Sequence, residues 1–162
     1  MNENIIDRNI FTKALYVIVV SLPVVALAIL ILQNHLPMGP VIFAMTIIPV
    51  LGLIIAKRAI KGAIPDLIFG AIDTGLLTIP ALIGGITFGV AGAIAGGVIG
   101  DALSDGIAGF FEGSIAEWLR KKGIEESRES ITTALGKMAG CLLGSGIVLS
   151  IAYLLGIHPQ FS

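Results

Sequence analysis

The sequence predicts an all-α polytopic membrane protein with five transmembrane helices and a cytoplasmic N-terminus. Three observations carry that prediction. Of 162 residues, 56% are hydrophobic and 13% charged, with a mean hydropathy of +0.99; soluble domains carry about 25% charged residues, so the chain lacks the charge a water-facing surface needs. Five stretches approach the ~20 apolar residues that cross a bilayer. All ten basic residues gather on the one side of the membrane that five crossings define.

The first stretch runs over 12–32 and the second over 41–56, ending at Lys57 and Arg58. Between them, Gln33 to Pro40 reads as a turn. The third starts at 64, where Pro65 suits a first helical turn, and ends near Gly84. Gly84-Gly85 reads as a tight hairpin into the fourth, which loses apolar character around Phe111. Glu117 to Lys122 extends that helix out of the membrane, Gly123 stops it, and a charged turn leads into the fifth helix, 130–156. With this count Arg8, Lys13, Lys57, Arg58, Lys61, Arg120, Lys121, Lys122, Arg128 and Lys137 lie on, or just inside, the N-terminal side. The C-terminus is then outside, and in a prokaryote the membrane is the plasma membrane. Apolar sequence continues beyond Ala26-Leu27-Ala28 to Leu32, so the first helix reads as an uncleaved signal-anchor. No internal repeat is visible.

Composition excludes several functions. A net charge of −1 without a basic tract offers nothing to a nucleic acid. The single cysteine, Cys141, excludes a disulfide framework, and His35 and His158 are too far apart for a zinc motif. No organic cofactor or enzymatic activity is expected; the GxGD setting of intramembrane aspartyl proteases is absent.

The informative residues are acidic. Asp73 lies about 13 Å into the third helix at 1.5 Å per residue. Asp101, Asp105, Ala108 and Glu112 share one face of the fourth within about 40°. That helix descends, so Asp105 arrives near the depth of Asp73, and Lys137 of the fifth lies close to the same level. Each carboxylate facing lipid costs about 2.5–3.5 kcal/mol, and one lysine cannot neutralise three aspartates. Either some of the aspartates are protonated, or metal or sodium ions supply the missing charge, or the carboxylates sit in a satisfied polar network such as a subunit interface. The nearby ligands fit a hard cation, since calcium binds about 6–8 oxygens from carboxylates, carbonyls, hydroxyls and water. Thr74, Thr78 and Ser104 lie beside the aspartates as further ligands. The glycines and proline of the third helix, Gly70, Gly75 and Pro80, are placed to break it and free carbonyls.

Small residues recur every fourth position of the fourth helix: Gly85, Gly89, Ala93, Gly97, then Asp101 and Asp105, then Gly109 and Gly113. A neighbouring row is Gly92, Gly96, Gly100 and Ser104, and the fifth helix carries Gly136, Gly140 and Gly144. Such rows let backbones approach closely, here between helices four and five or between two protomers. Trp118, Tyr16 and Tyr153 read as interfacial anchors and Cys141 as a small packing residue.

Gly70-Ala71-Ile72-Asp73, then Gly100 to Gly109 with its Ser104-Asp105, then Leu135-Gly136-Lys137-Met138-Ala139-Gly140-Cys141 together resemble the transmembrane protein 65 family. The resemblance covers about 65–156 and divides the chain into two N-terminal helices of unassigned role, 1–62, and a three-helix core, 63–162. It implies a mitochondrial-type inner-membrane protein, with prokaryotic relatives, linked to sodium-dependent calcium efflux. Carried over, the resemblance implies Asp73 and Asp105 as the best-matched acidic positions, whereas the place of Asp101 looks like an asparagine in the animal members of that family. The combined expectation is a sodium/calcium antiporter working as a homodimer. Asp73, Asp101, Asp105, Thr74, Thr78, Ser104 and Glu112 would hold calcium or sodium as transported ions, with Lys137 competing for the carboxylates. The rival readings are a regulatory or assembly subunit of another cation transporter, and a proton- or magnesium-coupled carrier.

Overall fold

The computed structural model describes residues 3–121 and 129–157, with side chains over 9–110, 121 and 129–157. Its elements are helices only: α1 (Glu3–Gln33), α2 (Met38–Met45), α3 (Ile47–Ile55), α4 (Ile60–Lys121) and α5 (Ser130–Leu154). Four runs are long and apolar enough to cross a membrane: Asn9–Gln33, Met38–Ile55, Ile60–Phe110 and Ser130–Leu154. The expected third and fourth helices are therefore one element, and its interior explains why.

At Gly89 the backbone of α4 turns to φ 64 and ψ −148, which is not helical. That conformation belongs almost wholly to glycine. Across it the chain doubles back: a Cβ on Gly84 would sit 2.1 Å from the Gly92 carbonyl oxygen, and one on Gly96 would sit 2.1 Å from that of Pro80. Gly100 lies against Leu77 in the same register. The first limb (60–88) and the second (90–121) are thus antiparallel. The hairpin is not at Gly84-Gly85, as the sequence predicts; those residues are inside the first limb. Nor is the first limb broken at Gly70, Gly75 or Pro80, since helical dihedrals run through all three.

The remaining elements follow from their local chemistry. Pro49 has no N–H for the carbonyl of Met45, and the run over 38–55 divides at Thr46 into α2 and α3. Three helices end on a left-handed residue, His35 (φ 50), Lys57 (φ 55) and Gly156 (φ 76). Each end carries the bond that spans six residues: Leu36 N–H to Ile31, Arg58 N–H to Leu53 and Ile157 N–H to Ala152. The tyrosine expected to anchor at the interface, Tyr16, instead points inward, and its hydroxyl donates to the Gly52 carbonyl at 2.6 Å. It joins Val17 and Val20 of α1 around Leu53, Ala63, Ile131 and Leu135. The Arg58 guanidinium reaches Glu129, which precedes α5, at 2.6 Å. Trp118 lies outside the described side chains.

Helix α5 is the hub. Its glycines pack on the first limb of α4: Gly136 against Ala63 and Asp66, Gly140 against Leu67 and Ala71, Gly144 against Ala71. Gly146 takes α2 at Phe43, and Gly39 of α2 takes the α5 backbone at Leu149 and Ser150. The second limb's row, Gly92, Gly96 and Gly100, also faces the first limb. The close partner of both glycine rows is therefore the first limb, not each other. Large apolar side chains cover the outside, with Ile55 72%, Phe88 76% and Leu154 83% exposed, while Asp66, Asp73, Thr78 and Ser104 are buried. Water would favour the reverse distribution. The described fold is that of a membrane protein.

Candidate cation site

The register of the hairpin builds the site. Gly84 faces Gly92, Pro80 faces Gly96 and Leu77 faces Gly100; the next step down brings Ser104 opposite Asp73. The Ser104 hydroxyl donates to Asp73 Oδ1 at 2.5 Å, and the Asp101 carbonyl lies 3.2 Å from the same hydroxyl. Asp101 and Asp105, the two acidic residues flanking Ser104, then converge on Asp73. One carboxylate oxygen from each of the three lies within 4.8 Å of the others. Two oxygens bound to one calcium ion at 2.3–2.6 Å can be at most about 4.6–5.2 Å apart, so any two of the three are within reach of one ion.

Helix α5 brings an ammonium, that of Lys137, to the cavity that Asp73 and Asp105 line. A Cβ on Gly70 would lie 2.6 Å from the Lys137 carbonyl, so glycine there lets α5 settle onto the first limb at that level. Lys137 thereby lines a cavity of about 80 Å³ with Phe69, Asp73, Asp105, Ala108 and Gly109. Burial divides the cluster. Asp73 is 9% exposed and Ser104 3%, whereas Asp101, Asp105 and Lys137 are exposed on the protomer. The side chains of these last three make no hydrogen bond or ion pair among the described residues.

The hydroxyl ligands expected from sequence separate. Ser104 belongs to the cluster. Thr78 does not: its hydroxyl donates to the Thr74 carbonyl at 2.6 Å and pairs with the Ser145 hydroxyl of α5 at 2.8 Å. Thr74 is half-buried and is not among the residues lining the cavity. Of the expected packing glycines, Gly100, Gly136, Gly140 and Gly144 meet neighbouring backbone, Gly97 makes ordinary contact with Ala81, and Gly89 and Gly109 have nothing within 4 Å. Glu112 lies outside the described side chains.

Two residues were not singled out by the sequence. Asp66 is 7% exposed, and lies two turns before Asp73 on the same face of the first limb, a spacing that could have found it. Ser145 has no comparable signal, because its partner is on another helix. The chain was also compared with known proteins, and no family model, curated protein or solved structure matches it.

Proposed function

We propose that this chain transports cations across a membrane, as a sodium/calcium antiporter that binds its substrate ions at Asp73, Asp101 and Asp105. The observation carrying this reading is the convergence of three carboxylates, from two limbs of one hairpin, to within 4.8 Å. In this reading α4 crosses the membrane twice, giving five crossings, a cytoplasmic N-terminus and a Gly89 turn outside. Three carboxylates at membrane depth without paired cations would cost about 8–10 kcal/mol, close to the whole stability of a typical domain. A bound cation removes that cost.

Each residue then has a role. Asp73 is held by Ser104 and gives a fixed oxygen; Asp101 and Asp105 complete the set from the facing limb. Lys137 lines the same cavity and competes for the carboxylates when the ion leaves, so a loaded and an unloaded site differ in which positive charge answers them. Calcium and sodium, both oxygen-seeking, occupy overlapping positions and exclude each other, which is the requirement for exchange. The resemblance to the transmembrane protein 65 family supports the same choice of ions.

The test is calcium flux into liposomes holding the purified chain, driven by a sodium gradient. Asp73→Asn and Asp105→Asn are each expected to lower the flux about tenfold or more, the effect of losing one charged ligand. Magnesium in place of calcium should carry little. Flux that is unchanged in both variants would show that the ions pass elsewhere.

A further inference from the structure

We infer that an apolar groove beside the α4 hairpin binds a lipophilic cation, an organic ammonium or phosphonium whose apolar body fills the groove while its charge faces Asp73 and Asp105. Only the negative charge of those two residues is shared with the transport reading; the ligand is a different one.

The register of the two limbs builds the groove. Gly84 meets Gly92, Pro80 meets Gly96, Leu77 meets Gly100 and Asp73 meets Ser104. One step further, Phe69 comes level with Ala108, and two cavities adjoin there, because both residues line each of them. One is the cavity of about 80 Å³ that holds Asp73, Asp105 and Lys137. The other, of about 540 Å³, is bordered by Ile68, Ile72 and Leu76 of the first limb and Ile107 of the second. Ser104 is the one polar residue in its wall, and that hydroxyl already donates to Asp73.

The wall decides what can enter. A water molecule in a protein cavity needs about 2–4 polar partners, and this groove has none uncommitted. A hydrated metal ion is kept out for the same reason. Ile68, Ile72 and Ile107 are half exposed, so the groove opens on the outer face of the hairpin, and in a membrane its ligand arrives from the bilayer.

The neighbouring charge decides which apolar body stays. Two carboxylates and one ammonium leave one negative charge in excess behind Phe69 and Ala108. In low-dielectric surroundings that charge acts across the thickness of a side chain, attracting a cation and repelling an anion. Phe69 adds an aromatic ring at the boundary, which favours an organic cation within about 6 Å. A lipid chain fills the groove without answering the charge. Its head group stays at the membrane surface, whereas Asp73 lies about 20 Å along the first limb from Ile60 at 1.5 Å per residue. A compact lipophilic cation suits both cavities at once, and its charge excludes a metal ion from the same oxygens.

The experiment titrates the full chain in lipid nanodiscs with tetraphenylphosphonium. Tetraphenylborate has the same shape and the opposite charge; tetramethylammonium has the charge without the apolar body. Equilibrium dialysis reads binding, with empty nanodiscs subtracted. Saturable binding is expected for tetraphenylphosphonium alone, and Asp105→Asn should weaken it about tenfold. Ile68→Trp and Ile72→Trp, each setting a larger ring in the groove from an exposed position, should weaken it as much while leaving thermal stability unchanged. Ile18→Trp on α1, as exposed as Ile72 at 55%, should have no effect. Equal binding of the phosphonium and the borate, which is what a groove for acyl chains would give, overturns the inference. So does unaltered binding in both groove variants. Calcium flux without selective phosphonium binding removes this inference alone; selective binding without flux removes the transport reading and leaves the groove. Where both hold, calcium displaces the phosphonium.

Discussion

Lys137 lines a cavity of about 80 Å³ with two of the three aspartates, and in the proposed transport reading its ammonium is the charge that an incoming ion would displace. Lys137→Gln is therefore expected to raise calcium affinity several-fold, because the substrate no longer competes with a resident cation. Titration calorimetry on the purified chain reads this directly, and unchanged or weaker binding would show that the lysine is not a competitor. Ser104 acts in the opposite sense. Ser104→Ala leaves Asp73 buried without its donor, at a cost of about 1–3 kcal/mol, and the affinity should fall. At this scale the sequence was informative for a simple reason. Asp101 and Asp105 are related by helix geometry, 100° and 1.5 Å per residue, which survives into the fold, whereas Asp73 meets them through the register that the turn at Gly89 sets. Thr78 was misread because its neighbour in sequence, the Thr74 carbonyl, and its neighbour in space, Ser145, both take its hydroxyl. The second of these depends on how α5 packs, which no local rule contains.

The helices show the same divide between local and tertiary information. Gly84-Gly85 has the composition of a turn, yet Gly84 is needed inside the hairpin, where Gly92 meets it backbone to backbone. The turn moves to Gly89, where a left-handed φ of 64 is required and the neighbouring positions are free to be Phe88 and Val90. Each glycine row is legible from its spacing; which helix it faces is not. Substitutions separate the two uses. Gly89→Ala is expected to destabilise by about 1–3 kcal/mol through backbone strain alone, since nothing lies within 4 Å of its Cβ position. Gly140→Ala is expected to destabilise by at least about 1–3 kcal/mol through steric overlap, because its Cβ would stand 2.1 Å from the Leu67 carbonyl. Thermal unfolding in detergent measures both. A lower cation affinity should accompany Gly140→Ala, since that contact seats α5 and with it Lys137.

At the scale of the molecule, contacts fix the relative directions of the helices. The first limb of α4 runs parallel to α5, meeting it in step from Ala63 and Gly136 to Ala71 and Gly144, while α2 runs against α5 from Gly39 at Leu149 to Phe43 at Gly146. The second limb returns antiparallel to the first. The remaining question is whether the hairpin crosses the bilayer or enters and leaves on one side. Residues 60–88 extend about 42 Å at 1.5 Å per residue, longer than the ~30 Å of a hydrocarbon core, so their length is compatible with the full crossing that the proposed arrangement requires. Basic residues sit at one end only: Lys57, Arg58 and Lys61 at the start of the first limb, Lys121 at the end of the second. In the proposed five-crossing arrangement the positive-inside rule would put those ends in the cytoplasm and the Gly89 turn outside. In a Cys141→Ala chain, Leu36→Cys and Phe88→Cys should react with an impermeant thiol reagent on intact cells. Lys57→Cys and Lys121→Cys should react only after the membrane is opened. If Phe88→Cys and Lys57→Cys respond from the same side, the hairpin is re-entrant, the aspartates open to one face alone, and exchange through them has no second door.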